Sequence, residues 1–157
     1  KLFWFFIQNT GAVMRGGHYL FKPGYINPFP IPGIIPPETE KAITTIVDYI
    51  LFIKSLPISK QVNEYVNNNV IVRLFENVID ALVYELYLHK EFSEANISFA
   101  NYVVRDFKNI ENSDIIQSIL IIESSYQKLR EIDNEIRNNI KCMAIKMEKL
   151  LAPIINM

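Results

Sequence analysis

Apolar residues follow two different rhythms along this chain, and the change comes near residue 37. From Pro37 onward they recur at steps of three and four, the period of a helix with one buried face. Ile43, Ile46, Val47, Ile50 and Leu51 form the first such stripe. Pro37 suits the opening position of that helix, Glu38 and Glu40 complement its positive end, and Pro57 stops it. A second helix is predicted from about Asn68 to Phe92. On it Arg73, Glu76, Asn77, Asp80, Tyr84 and Tyr87 share one face and nearly all other positions are apolar, the pattern of a central helix buried on most sides. Ser93 is placed to cap a third helix with Ile97, Ala100, Val104 and Phe107 inward.

The longest signal runs over 113–151. Ile115, Ile119, Ile122, Tyr126, Leu129, Asp133, Ile136, Ile140, Met143, Met147 and Leu150 alternate steps of four and three, a heptad seam with one polar interruption at Asp133. An unbroken helix here would reach roughly 55 Å at about 1.5 Å per residue; the Asp133-Asn134 pair offers a break into two. The seam has two uses. It can pack within the chain, which the many other apolar helix faces favour, or pair with a second copy in a homodimer.

Before residue 37 the helical rhythm is absent. All five glycines lie there, and six of the eight prolines lie at or before Pro37, so short elements joined by turns are expected. Lys1–Ile7 reads as a buried helix end or a strand. Tyr19-Leu20-Phe21 reads as a short strand between Gly16-Gly17 and the Lys22-Pro23-Gly24 turn. Asn27-Pro28-Phe29-Pro30-Ile31-Pro32 must run extended, because each proline pushes its predecessor out of the helical region. The expected fold class is therefore mainly α, a helical bundle over 37–157 carrying a small β/loop remnant over 1–36.

Charge sharpens this division. Residues 1–37 hold Lys1, Arg15 and Lys22 and no carboxylate, while the rest holds 13 basic and 17 acidic residues. An anion-binding surface is thus expected near the N-terminus. Cys142 is the only cysteine, which leaves no disulfide framework and fits a reducing, cytoplasmic setting. No apolar run is long enough for a membrane span, so no membrane partner is expected. The opening Lys1–Ile7 run is too short for a signal peptide and lacks a cleavage pattern; the chain reads as a fragment of a longer protein.

Candidate chemistry is sparse. Two histidines far apart in sequence and one cysteine give no zinc-site spacing, and no phosphate-cradling glycine motif occurs. Glu85 and His89, four apart on the central helix, suit either a carboxylate orienting an imidazole or a plain intrahelical pair, and the second is favoured because no nucleophile accompanies them. Tyr84 and Tyr87 fit boundary packing better than base stacking. Asn96-Ile97-Ser98 matches a glycosylation acceptor, which would need secretion. The N-terminal segment offers more: Arg15, His18 and Lys22 alternate with Tyr19, Phe21 and Tyr25 around Gly16-Gly17. Cations for phosphates beside flat rings with hydrogen-bonding tips are the residue types of DNA contact. Arg15, Gly16, Gly17, His18, Tyr19 and Lys22 are the candidate DNA-binding residues.

Family resemblance points the same way. The segments LFWFFIQNTG (2–11), Gly16-Gly17, YLFKPGYI (19–26) and PFPIP (28–32) resemble the closing part of a TaqI-like C-terminal specificity domain. Such domains are the target-recognition modules of adenine-specific DNA methyltransferases, including fused type IIG restriction-modification enzymes. The proline-rich segment followed by an acid-rich helix start is also similar to type I specificity subunits. Residues 74–87 resemble the helix that follows the recognition segment in type IIG-like proteins, and 133–140 their C-terminal stretch. The resemblance implies double-stranded DNA as partner, together with upstream methyltransferase or nuclease domains. It also implies S-adenosylmethionine and magnesium as cofactors of the parent protein, with none bound by this piece. The Asn-Pro-Pro-Tyr type of methyltransferase motif is absent from the sequence, so the chain is expected to be a specificity element and not itself an enzyme.

Overall fold

The computed structural model describes residues 1–155, and among these the chain is mainly helical. The helical rhythm after residue 37 becomes α3 (Pro37–Ser55), α4 (Asn68–Tyr87), α5 (His89–Glu94), α6 (Ala100–Asp106), α7 (Ile115–Arg130), α8 (Glu135–Lys146) and α9 (Glu148–Ile155). Two helices precede them, α1 (Leu2–Thr10) and the single turn α2 (Pro23–Ile26). The expected strand at Tyr19–Phe21 shrinks to one antiparallel bridge between Tyr19 and Val13. A hairpin this short has no neighbouring strand on which to extend its ladder.

Helix α3 starts at Pro37 and stops at Leu56, whose extended ψ of 142° is what the following Pro57 requires. Its buried face overlaps the predicted stripe at Ile46 and Ile50, with Ile43 packed at its edge, and is otherwise turned by about one position. Ala42, Thr45, Ile46, Tyr49, Ile50 and Ile53 point inward, whereas Val47 and Leu51 are 36% and 61% exposed. The cause is Tyr49. Its ring packs between Phe75 and Phe107, and its hydroxyl donates to the Lys108 carbonyl. A fully buried tyrosine with a satisfied hydroxyl counts as core, and it rotates the helix by a position relative to the aliphatic pattern.

Helix α4 lies at the centre of the bundle. Asn67 caps it, accepting from the Asn69 N–H, and Asn68 ties the preceding loop through the Val62 N–H and the Lys60 carbonyl. Ile71, Val72, Phe75, Val78, Ala81 and Leu82 are buried, while Arg73, Glu76 and Asn77 face water as the pattern predicted. Tyr84 does not join that polar face. It is buried, and its hydroxyl is the one buried side-chain polar atom without a hydrogen-bond partner among the described residues. Burial, with Asp80 one turn away, raises its pKa to about 12.

Helix α4 also ends earlier than predicted. Leu88 leaves the helical region at φ −120°, ψ 36°, and a short α5 follows. Ser93 lies inside α5, exposed, and caps nothing. The third helix, α6, is capped from a distance. Both oxygens of Glu85 accept from the Phe99 N–H at 3.1 Å, and one accepts from Ala100 at 3.3 Å. Local sequence offers no cap because the capping group sits on another helix.

The 113–151 seam is broken twice. Asn134 caps α8 by accepting from the Arg137 N–H, which realises the Asp133-Asn134 break, and a second break falls at Met147. Ile122, Tyr126, Leu129, Ile136, Met143 and Met147 are buried within the chain. Beyond Met147 the phase slips, so Leu151 is buried and Leu150 is 41% exposed. No described helix is long and apolar enough to cross a membrane.

A charged knot joins α6, α7 and α8. The Asp106 carboxylate, with no exposed side-chain surface, accepts from Arg105 at 2.6 Å, Lys128 at 2.8 Å and Asn134 Nδ2 at 3.1 Å. Arg105 continues to Glu135 at 2.7 Å. Burial alone would raise the Asp106 pKa. The hydrogen bonds and charges of Arg105 and Lys128 outweigh it and hold the group below its ordinary 3.8.

Two stability predictions follow from this packing. Leu82→Ala should cost about 2–5 kcal/mol, the range for truncating a buried leucine, and Arg73→Ala, on the wet face of the same helix, should cost under about 0.5 kcal/mol; urea titrations of both compare them directly. Asp106→Asn should cost about 1.5–3 kcal/mol at neutral pH, nearer the lower figure because Arg105 and Lys128 are half exposed. A carboxylate with a depressed folded pKa stabilises above its unfolded pKa and loses that contribution as pH falls through the folded value. Wild type and variant should therefore begin to converge below about pH 4 and meet only below the depressed folded value, read by thermal melts across an acid series.

Candidate functional site

Residues 12–20 fold back on themselves without a regular strand. The Leu20 N–H donates to the Ala12 carbonyl and the Met14 N–H to the His18 carbonyl, at 3.0 and 2.7 Å, and the turn between closes with Gly17 N–H donating to Met14 at 3.1 Å. Gly16 and Gly17 take φ of +95° and +81°, a region open to glycine and costly for other residues. That is why the pair sits at this turn. The tip so formed carries Arg15 and His18, both exposed, while Lys22 is exposed at the start of α2. None of Arg15, His18 or Lys22 is among the salt-bridged residues described.

Tyr19 is half-buried and plays a different part from its neighbours. Its ring meets Trp4 of α1 edge-on at 5.2 Å, and Phe21 stacks on Trp4 at 6.2 Å with 19° between planes. The return arm of the hairpin is thereby held on α1. The run from Asn27, expected to be extended, instead begins as a turn: Asn27 stays helical at ψ −31° despite the following Pro28, and the Phe29 N–H donates to the Ile26 carbonyl at 3.0 Å. Behind the shelf, Phe29 of this turn packs against Phe3, Phe6 and Tyr87. An apolar slot of about 230 Å³ remains between Leu2, Phe5, Phe6, Phe29, Pro30 and Leu88. Lys1 pairs with Asp80 at 3.3 Å, so one of the three N-terminal cations is committed to α4. The structure thus brings Arg15, Gly16, Gly17 and His18 together at one tip, with Tyr19 beneath and Lys22 beyond. Sequence reading missed Trp4, because it lies in a separate apolar run with no periodicity linking it to the glycine turn.

The alternative constellation is not assembled. Glu85 is spent on the N–H groups of Phe99 and Ala100, and burial raises its pKa against the lowering effect of those bonds. His89 is exposed and forms no bond with it among the described contacts. Both line a polar cavity of about 460 Å³ with Ser98, Tyr102 and Asn139. Among the described residues no group of three or more His, Cys, Asp or Glu side chains is arranged to hold a metal ion.

The tip should be sensitive to its glycines. Gly17→Ala forces an alanine into the left-handed region, at roughly 1–2 kcal/mol. Amide exchange at Met14 and Leu20 should accelerate while the global unfolding midpoint stays put; equal protection in the variant would show that the hairpin tolerates the strain. No family model, no curated protein and no solved structure matches this chain.

Proposed function

We propose that this chain is a DNA target-recognition element of a restriction-modification system, contacting DNA through the hairpin at 12–22 while the helical bundle fixes its orientation. The observation that carries the reading is the placement of charge. Among the described residues Arg15, His18 and Lys22 stand exposed and unbridged on a segment without a carboxylate, whereas the chain after residue 37 holds 17 acidic residues against 13 basic. Unpaired cations at the tip of a loop anchored by aromatic packing suit phosphate contact, and the tip's backbone and His18 can approach base edges. In this reading catalysis, S-adenosylmethionine and magnesium belong to other domains of a parent protein, and the chain itself is not an enzyme.

A second reading has one specific observation in its favour. Ile116 and Leu120, one turn apart on α7, are 71% and 54% exposed, with Ile115 beside them. Such a stripe suits helix pairing with another copy, independent of DNA. Mass measurement by light scattering over a concentration series separates it from the first.

Duplex binding by this chain should be weak, about 10⁻⁴ to 10⁻⁶ M at physiological salt, because few cations are on offer. Each cation that neutralises a phosphate contributes about 0.9 to the slope of log affinity against log salt. Fluorescence anisotropy on a labelled duplex should thus show the Arg15→Ala/Lys22→Ala variant binding more weakly, with a slope flatter by about 1.8. Matching slopes and affinities in the two proteins would remove the hairpin from the interface.

A further inference from the structure

The rings that hold the hairpin are themselves incompletely covered. Phe21 is 53% exposed and Trp4 38%, although they stack on each other and Tyr19 closes one edge. These two rings, stacked on each other and left open to water, lie on a segment with no carboxylate, and in the chain exposed His18 and Lys22 flank Tyr19–Phe21. The ligand that complements this surface has a flat apolar face and an anionic backbone. A closed duplex offers the backbone and the base edges, but its base faces are occupied by their neighbours. It would satisfy the cations and leave the rings wet. An unpaired base has a free face, and stacking on aromatic side chains is how sequence-tolerant contacts to single strands are made.

The geometry points to the Trp4–Phe21 shelf as a stacking platform for an unpaired base, with Arg15, His18 and Lys22 on the flanking phosphates, so that single-stranded or locally opened DNA is preferred to closed duplex. This rests on the reading of the hairpin as a nucleic-acid contact and narrows the substrate of that same site.

Trp4 is the only tryptophan in the chain, so its emission reports the shelf directly. The whole chain is titrated with a single-stranded oligothymidylate and with a blunt duplex, following Trp4 emission and the anisotropy of the labelled nucleic acid. The single strand should bind more tightly and quench Trp4, and the duplex should leave the emission nearly unchanged. Phe21→Ala should weaken single-strand binding about 5- to 150-fold, the weight of one stacked base, and weaken duplex binding far less. Phe21→Tyr, which keeps the ring, should restore the single-strand affinity and so exclude a folding defect as the cause. Duplex binding with no single-strand preference and no quenching overturns the platform while leaving DNA contact standing. Binding by neither at low salt overturns both. Self-association that disappears in Phe21→Ala would assign the shelf to a second copy of the chain, and that too overturns the proposal.

Discussion

The bundle depends on how a helix of only seven residues, α6, is held in place. Two turns of helix do not form unaided in water, since nucleation costs more than so few hydrogen bonds return. Here both ends are clamped by carboxylates. Glu85 reaches from α4 to the N–H groups of Phe99 and Ala100 at the entry, and Asp106 at the exit gathers Arg105, Lys128 and Asn134. A negative charge at a helix C-terminus is unfavourable by itself, so the three donors around Asp106 are required for the arrangement to stand. With α6 fixed, Val103 and Phe107 close the core against Tyr49 and Phe75, and α3, α7 and α8 find their places around it.

Much of this was legible in the amino-acid pattern, and the parts that were not have a common cause. The start and stop of α3, the inward residues of α4 from Ile71 to Leu82 and the break at Asn134 follow from prolines, aliphatic spacing and an asparagine cap, all of them local signals. The failures lie where a polar group is used in the core or a partner comes from far along the chain. Tyr49 rotates α3 because its hydroxyl finds Lys108, 59 residues on. Tyr84 turns inward without a partner, against any rule based on polarity. Glu85, read as half of a histidine pair, caps a helix 14 residues away. Of the candidate site, the glycine turn and its cations were visible as composition, but the indole beneath them was not.

The N-terminal segment is built on aromatic packing instead of a buried aliphatic core. Among its first ten residues only Ile7 is fully buried, and Phe29 does the joining, touching Phe3, Phe6 and Tyr87 at once. Few ring contacts can hold a hairpin in orientation while leaving its tip free of side-chain partners. That division of labour, with rigid support behind and unpaired charge in front, is what a recognition loop needs. The bundle has a different character: its core is continuous and largely apolar, and Asn67, Asp114 and Asn134 cap α4, α7 and α8 with their side chains.

The contact of α1 with α9 joins the first described helix to the last and so closes a loop that spans nearly the whole chain. Closing so long a loop costs only a little more entropy than closing one of half the length. That cost is shared with two further ties to α4, Phe29 on Tyr87 and Lys1 on Asp80, and with the full burial of Ile7. The aromatic segment is thereby a clasp between the two ends of the described chain, and its rings serve the bundle as well as the hairpin.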